Sequence, residues 1–387
     1  MSAQPLGGPV YKICPATDLE ASDGGVPQAA IDVSDGYVHL SAAHQVRETA
    51  SKHFAGREGL CLVEVDPARI PEGQLRWEVS RGGDRFPHVY GEITADAVVG
   101  VDALPLHDGE HLFPACVPVP LSSDPLPGEM ARRLETAEVG AMVALARSAA
   151  RSIPNHAPGR AGRSLTVAAR FGPQSPINGI KGWGLDDPVM VADLEAGEQL
   201  FDSVGASFAV EVSSHAHPDA LAHLADRGYV AAATENVLFR GLDDVSSPSV
   251  AIELEPVRPE DANAWGAMLG LGFTGGSPPP DEFTIFGPLN LALGLSRSYF
   301  IVANDTRVGT CSMRMDHEVA MLIGSAVLAE HRGKGYHSAA VVQRLALAQA
   351  LGARWAKLDV QPGSASHRNA HRAGFRLSHT RTAFVRR

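Results

Sequence analysis

The sequence has few cysteines, no long apolar run and no excess of positive charge, and each lack excludes a class of protein. Its 4 cysteines stand far apart with no CxxC pair, so neither a disulfide scaffold nor a zinc ribbon is expected. No stretch approaches the roughly 18 apolar residues of a membrane span. Met1–Tyr11 has neither a basic start nor an apolar run. We therefore expect no secretory signal and a cytoplasmic location.

The charge balance and the length narrow the class further. Acidic residues outnumber basic residues, 44 to 33, and the formal net charge is −11. General nucleic-acid binders are normally basic, so that class is disfavoured. A chain of 387 residues exceeds one ordinary domain, and 44% hydrophobic residues are enough to fill several cores. The composition therefore predicts a globular protein of two or three domains.

Pro- and Ser-rich stretches divide the chain. PACVPVPLSSDPLP, starting at Pro114, has no helical or strand periodicity, and a second break covers Gly241–Ser249. The sequence thus predicts an α/β (α+β) multidomain protein. Its predicted parts are a small α+β domain at 1–115, a linker at 116–130, and two further domains at 131–243 and 250–387.

An internal echo links the two later segments. Gly228-Tyr229 is followed by TENVLFR ending at Arg240, and Gly374-Phe375 is followed at the same spacing by TRTAFVR ending at Arg386. Each Gly-aromatic pair comes after a β-rich run and a short helical stretch. A strand–helix–Gly-aromatic–strand unit that occurs twice favours a shared architecture for both segments.

The passage VLAEHRGKGYHSA, Val327–Ala339, is the most informative in the chain. A buried strand leads into Arg332-Gly333-Lys334-Gly335, and a helix is predicted from about Tyr336 to Leu351. Two glycines at a strand-to-helix junction let backbone N–H groups converge at the positive end of the helix. The arrangement suits a pyrophosphate; the alternative is a tight turn with solvated basic residues.

From about Val250 to Arg387 the chain resembles the GNAT acetyltransferase superfamily. The family's loop pattern, Arg/Gln-x-x-Gly-x-Gly/Ala, falls on Arg332, Gly335 and His337, and the histidine departs from it. Gly374-Phe375 matches the family's ending before the last strand. The resemblance implies a mixed β-sheet flanked by helices and acetyl-CoA as substrate, with its pantetheine arm along Ser325–Val327. The implied acyl-CoA contacts are Ala326, Val327, Arg332, Gly333, Lys334, Gly335, Tyr336, His337 and Ser338.

The catalytic side chains are harder to assign. Many family members place a Tyr acid four residues before the glycine of the Gly-Phe pair, and here that position is Ala370. Ser366, His371 and Tyr336 are the candidate substitutes. Glu318 is the candidate base, with a solvated turn carboxylate as the alternative. His367 and His371 have the spacing of zinc-binding helices, but Arg368 replaces the accompanying Glu, so no metal is expected.

The two earlier segments resemble other domains. Residues 131–243 look like a degenerate GNAT repeat without a phosphate loop, as in tandem GNAT proteins. Residues 8–115 resemble a small bacterial domain of unknown function and the ADP-ribosyltransferase and tRNA 2′-phosphotransferase fold, which holds NAD or ADP-ribose. The matching ligand candidates are His39, Ser41, Arg81, His88 and Tyr90. A buried hydrogen-bonding network without a ligand is the alternative.

The leading hypothesis is an acetyl-CoA-dependent N-acetyltransferase that acts on a small-molecule or peptide amine. One alternative is a regulatory protein that binds acyl-CoA or a nucleotide without transferring a group. Another places the main activity in the first domain, acting on NAD or ADP-ribose. Neither a membrane partner nor general nucleic-acid binding is expected.

Overall fold

The structure is a computed structural model, and it separates the chain into two compact units, Met1–Pro120 and Leu121–Arg387. Within the described residues, no helix is long and apolar enough to cross a bilayer. The residues that the structure describes are 9–80, 83–107, 109–114, 117, 121, 124–152, 160–161, 166–171, 175, 177–185, 189–278, 281–292 and 296–386.

The first unit consists of small antiparallel sheets with three short helices. The strands of the largest sheet follow the order β3-β1-β4-β7, a second sheet has the order β2-β6-β5, and β8 pairs with β9. The strands are β1 (Val10–Pro15), β2 (Val38–His39), β3 (Ser41–Ala42), β4 (Leu60–Val65), β5 (Leu75–Val79), β6 (Arg85–Val89), β7 (Val98–Leu104), β8 (Leu106–His107) and β9 (Glu110–His111). The helices are α1 (Ala16–Glu20), α2 (Ala30–Asp35) and α3 (Ala43–His53).

The hydrophobic core of this unit has two layers, because side chains on β1 alternate between the two faces of the sheet. On β1, Val10 and Cys14 belong to a cluster that includes Val38 and Val89 of the second sheet. Tyr11 lies on the opposite face of β1, in a cluster with residues of α3. Successive side chains of a strand point to opposite faces, so one four-stranded sheet covers both a second sheet and a helix.

The second unit is built on one sheet of 11 strands flanked by helices, which confirms the expected mixed α/β fold. Its helices are α4 (Pro127–Ser152), α5 (Val191–Asp202), α6 (Pro218–Asp226), α7 (Ala262–Thr274), α8 (Phe286–Ala292), α9 (Tyr336–Ala350) and α10 (Ala365–Arg372). Its strands are β10 (Arg160–Ala161), β11 (Val167–Ala169), β12 (Gly179–Lys181), β13 (Ala209–Ser213), β14 (Tyr229–Gly241), β15 (Glu253–Pro256), β16 (Ser296–Ala303), β17 (Thr306–Asp316), β18 (Val319–Val327), β19 (Trp355–Val360) and β20 (Arg376–Arg386).

Helix α4 begins inside the stretch predicted as a linker. Pro127 is its first residue, a position that needs no backbone N–H and where proline is favoured. The Glu129 side chain accepts a hydrogen bond from the N–H of Leu126 at 2.8 Å. With these two local features the helix includes the last four residues of the predicted linker at 116–130.

The sequence echo corresponds to two equivalent strand–helix–strand units that exchange their last strands. One unit is β13–α6–β14 and the other is β19–α10–β20, and the strand order through the sheet centre is β13-β20-β14-β19. Strand β14 thus lies between β20 and β19, and β20 lies between β13 and β14. The segments predicted as separate domains at 131–243 and 250–387 therefore share one sheet, because each is paired with the other's final strand.

Buried charges join α4 to strands of both segments. Glu138 of α4 accepts a hydrogen bond from the Lys357 ammonium on β19 at 2.7 Å, and its other oxygen lies 3.6 Å from the Lys181 ammonium on β12. All three side chains are at most 14% exposed. Ions buried in this way are tolerated only when they are paired, so this network ties α4 to the sheet on both sides of the exchanged strands.

One turn earlier on α4, Glu135 holds β20. Its Oε1 lies 2.5 Å from His379 Nε2 and accepts from Arg381 Nη2 at 2.9 Å. Burial opposes ionisation of Glu135, but the Arg381 charge and the His379 hydrogen bond outweigh it and lower the pKa of the carboxyl to about 2. The folded protein therefore stabilises the ionised form of the Glu135 carboxyl group.

Glu135→Gln is expected to lower the free energy of unfolding at pH 7 by about 3 kcal/mol, because it leaves Arg381 buried without its full partner. A depressed carboxyl pKa contributes stability above its unfolded value of about 4.3, and this stability is lost as the pH falls toward 2. The wild type should therefore lose more stability than the variant between pH 5 and pH 2. Urea titrations followed by circular dichroism measure both effects.

The control for this experiment is Glu129→Gln on the same helix. Its side chain is exposed, and glutamine can still accept the bond from Leu126 N–H. We expect a change below about 1 kcal/mol. Equal losses in the two variants would contradict a stabilising role for the buried network.

Candidate functional site

The central feature of the second unit is the separation of two parallel strands. Strand β18 pairs with β17 along most of its length, but it pairs with β19 only at Val319, Ala320 and Met321. Beyond these residues β19 continues to pair with β14 as far as Val360. The sheet therefore opens between β18 and β19 and leaves a cleft beside the backbone that ends at Val327.

A β-bulge shapes the wall of this cleft. Thr310 pairs with Ala326 and Ser312 pairs with Ile323, so two residues of β18 oppose one residue of β17. The first of the two is Gly324, whose φ of 56° is left-handed. A Cβ there would lie 3.2 Å from the Trp265 ring, so the position favours glycine both for its backbone and for space.

Arg344 of α9 holds the bulge from within the protein. This fully buried guanidinium donates to the Ser312 carbonyl at 2.8 Å and to the Ile323 carbonyl at 3.3 Å. It also donates to Ser325 Oγ at 3.1 Å. Its recorded hydrogen-bond acceptors are neutral oxygens, so a full positive charge lies beneath the bulge, and burial lowers its pKa.

The loop after β18 has the geometry of an anion cradle. A 3₁₀ turn at Ala329–His331 leads to Gly333 and Gly335, whose φ values of 77° and 82° are left-handed. Gly335 is the N-cap of α9, and no side chain caps this helix. The N–H groups of the first helical turn have no partner within a helix, so they are available to an anion.

The two basic residues of the loop differ in their surroundings. The Arg332 guanidinium donates to the carbonyl of Val327 at 3.1 Å and to that of Gly272 at 2.6 Å. It therefore fastens the end of β18 to the end of α7, a structural role that the sequence did not reveal. Lys334 is exposed. Its ammonium is the more adaptable charge of the loop.

His337 turns its side chain toward α10. Its Nδ1 lies 3.2 Å from Asn369 Nδ2, and the ring is half-buried. Burial, and secondly the charge of Arg344, lower the pKa of His337 to about 4. The imidazole is neutral at pH 7, so it adds no charge to the loop and leaves its backbone N–H in the first turn of α9.

The structure brings the candidate acyl-CoA contacts together and disperses the candidate catalytic residues. Residues 326–338 follow one another from β18 through the loop into α9. Glu318 lies just before the other end of β18, buried, and accepts from Arg133 Nε at 2.8 Å. It is neither a solvated turn carboxylate nor placed at the bulge, which disfavours a role as base.

The candidate acids have other surroundings. Tyr336 packs against an apolar cluster between β16 and α9. Ser366 is half-buried in the first turn of α10, and His371 is exposed on the same helix. Within the part of the chain that is described, no three His, Cys, Asp or Glu side chains are grouped as metal ligands.

Sequence reasoning missed two carboxyl groups, one on β19, which borders the opening, and one on the next strand, β14. Asp359 of β19 is two residues past the last β18–β19 pair, and it accepts from Lys357 at 2.8 Å and from Arg381 at 3.3 Å. Glu235 of β14 is half-buried. Burial and then the charges of Asp359 and Glu211 raise its pKa. Only long-range pairing brings these residues together, so no local pattern could reveal them.

The first-unit candidates also form a cluster. His39 and His88 face each other across β2 and β6, with ring centroids 5.2 Å apart. Tyr90 donates its hydroxyl to Glu78 at 2.9 Å, and Ser41 lies 3.0 Å from the Thr49 hydroxyl. Arg81 lies outside the described residues.

Residues 272–375 match the acetyltransferase (GNAT) family profile. This part of the chain is thus similar to GNAT acetyltransferases. Residues 13–101 match a family described as a protein of unknown function (DUF952). No curated protein matches the chain. The resemblance of residues 8–115 to ADP-ribosyltransferases is not among these findings and stays a prediction.

Several solved structures are similar to parts of the chain. A protein from Caulobacter crescentus is 39% identical over 27% of this chain and 92% of its own, with a TM-score of 0.26. A GCN5-related N-acetyltransferase from Kribbella flavida is 17% identical over 57% of this chain and 85% of its own, with a TM-score of 0.42. A tandem GNAT protein from the clavulanic acid biosynthesis pathway is 13% identical over 62% of this chain and 86% of its own, with a TM-score of 0.43.

The titration of His337 checks the packing of the loop against α9 and α10. We expect a midpoint near 4, well below the ordinary value of about 6.5, because burial disfavours the imidazolium. In Arg344→Met the midpoint should rise, yet stay below 6.5, because burial is the larger cause. Histidine-selective NMR, assigned with a His337→Gln variant, measures it. A wild-type midpoint near 6.5 would contradict the inward orientation of this side chain.

Proposed function

We propose that the chain is an acetyl-CoA-dependent N-acetyltransferase that moves an acetyl group to a small-molecule or peptide amine. The observation that carries the proposal is the opening between β18 and β19, which ends at an uncapped, glycine-flanked helix N-terminus. An open strand edge that is followed along the chain by an anion cradle suits a ligand with two parts. The strand edge suits an arm that carries amides, and the cradle suits a pyrophosphate. The GNAT match at residues 272–375 supports the same assignment.

The residues present fit such a substrate. The pyrophosphate would lie against the N–H groups of Gly333–Ser338, with Lys334 adding a full charge. Gly333 has open space where a Cβ would be, so backbone can approach a phosphate closely. The pantetheine amides would pair with the backbone of Ser325–Val327, which β19 leaves open.

The chemistry is direct transfer. The amine nitrogen attacks the thioester carbonyl carbon, the C–S bond breaks and an amide forms. The amine loses a proton and the leaving thiolate gains one. In this proposal an N–H of the bulge at Gly324–Ala326 donates to the developing oxyanion, and the buried Arg344 charge keeps the bulge in shape. In this proposal Asp359 of β19 or Glu235 of β14 accepts the amine's proton, and Glu235 is favoured because its pKa is raised.

A specific observation favours a second candidate, an acyl-CoA-binding protein without transferase activity. Ala370 is buried on α10 where many family members have a tyrosine acid. Incubation with acetyl-CoA and a panel of primary amines, followed by a free-thiol assay, separates the two. CoA release that depends on an amine supports transfer, whereas binding without release supports the second candidate.

Lys334→Glu is expected to weaken acetyl-CoA binding at least tenfold, because it replaces a positive charge beside the pyrophosphate with a negative one. Lys334 is exposed, so the substitution leaves the fold intact. Gly335 is a poorer target, because its φ of 82° and the Val250 methyl 3.0 Å from a Cβ would strain any side chain. Isothermal titration calorimetry measures the affinity.

Lys52→Glu is the matched control. It makes the same change of charge at an exposed position in the other unit, on α3. We expect its affinity to stay within about twofold of the wild type. The proposal fails if the wild type does not bind acetyl-CoA at millimolar concentration, or if both variants lose affinity equally.

A further inference from the structure

Two cysteines of the first unit lie opposite each other on neighbouring strands. Cys14 of β1 and Cys61 of β4 are direct partners in the antiparallel register, and both are free thiols. They are far apart in the sequence, so their spacing did not suggest a pair. The acetyltransferase proposal concerns the second unit and uses neither thiol.

The two side chains project from the same face of the sheet, as direct partners across antiparallel strands do. Cys61, Val63 and Val65 occupy alternate positions of β4, so they share one face of that strand. Val63 and Val65 pack in the same apolar cluster as Cys14. The register and the packing therefore agree that both thiols are on one side of the sheet.

The hydrogen bonds between β1 and β4 set the distance between the two backbones. The Ala16 N–H donates to the carbonyl of Gly59, the residue opposite it, at 2.9 Å. Hydrogen-bonded and non-hydrogen-bonded pairs alternate along an antiparallel ladder, so Cys14 and Cys61, two positions away, are also a hydrogen-bonded pair, with Cα atoms about 5.5 Å apart. Disulfides span about 4.4–6.8 Å between Cα atoms. The backbone separation therefore permits a bridge.

The surroundings of the two thiols differ. Cys61 is half-buried, whereas Cys14 is buried and lines a cavity of about 480 Å³. Burial, and secondly the neighbouring Cys61, raise the pKa of Cys14 to about 11, and burial also raises the pKa of Cys61. Both groups are therefore thiols at pH 7. Because the thiolate is the attacking form and Cys61 is the more exposed group, Cys61 is expected to react first.

We propose that Cys14 and Cys61 form a reversible disulfide, with a small-molecule disulfide as the oxidant. The Cys61 thiolate attacks one sulfur of the oxidant, the S–S bond of the oxidant breaks, and its first thiolate leaves. Cys14 then loses its proton and attacks the Cys61 sulfur, the mixed disulfide breaks, and the second thiolate leaves. The two protein protons pass to the two released thiolates. Two protein thiols are thus oxidised, and one small disulfide is reduced to two thiols.

The bridge connects the two central strands of the sheet, since the strand order is β3-β1-β4-β7. The Cβ atoms of a hydrogen-bonded pair are about 5.5 Å apart, which exceeds the separation of about 3.5–4.5 Å in an unstrained bridge. A bridge at this register is therefore strained, and strained disulfides are readily reduced. The pair has the character of a redox switch in the first unit, not of a permanent crosslink.

The test uses the full chain, first reduced and then treated with glutathione disulfide at pH 8. Alkylation of the remaining thiols followed by peptide mass spectrometry identifies the bridges. We expect the chain to lose two hydrogen atoms, and the Cys14–Cys61 bridge to be at least tenfold more abundant than any other pairing. Dithiothreitol should reverse it. In urea this preference should disappear, because it depends on the strand register.

Cys14→Ser tests the second step, and Cys116→Ser is its control. Without Cys14 the mixed disulfide at Cys61 has no thiol opposite it, so glutathione should stay attached to Cys61. Cys116→Ser should form the same bridge as the wild type. The proposal is overturned if the folded wild type forms no bridge between Cys14 and Cys61, if another pairing predominates, or if the wild type retains glutathione on Cys61 as fully as Cys14→Ser does.

Discussion

The C-terminal unit depends on one constraint: β18 must pair with β17 on one side while it leaves β19 after Met321. A strand in the middle of a sheet cannot lose a neighbour without another arrangement for its backbone. The bulge at Gly324 changes the direction of β18 after Met321, and the Arg344 guanidinium donates a hydrogen bond to the carbonyl of Ile323. The remaining backbone faces the cleft, and the proposed substrate would pair with it.

The exchange of final strands explains why the preceding repeat matters to this site. Strand β14 of that repeat pairs with β19 along the length over which β18 has left it, so it supports one wall of the cleft although it is far away in sequence. Helix α4 is fastened to β19 through Glu138 and Lys357. The segment that contains β14 is thus part of the framework of the cleft, which residues 250–387 do not form alone.

Local features of this fold were predictable from the sequence, and long-range pairs were not. The glycines on both sides of Lys334 predicted the loop. The predicted start of the helix at Tyr336 is confirmed, and it could be predicted because the glycine that precedes the helix is a local signal. The echo revealed two equivalent units, but the exchange of strands depends on partners far apart in the chain. Likewise, the alternative of a solvated turn carboxylate at Glu318 is wrong because its partner, Arg133, stands 185 residues earlier. Arg344 resembles any polar helix residue until its burial is known.

Hydrogen exchange of the full chain, with and without acetyl-CoA, tests the central claim most directly. A substrate bound along the open strand and over the loop should slow exchange at Gly324–Val327 and at Gly333–Ser338, because those N–H groups gain acceptors. Lasting protection in both segments is the predicted result. Unchanged exchange in both segments at saturating acetyl-CoA, or protection confined to the first unit, would contradict the account.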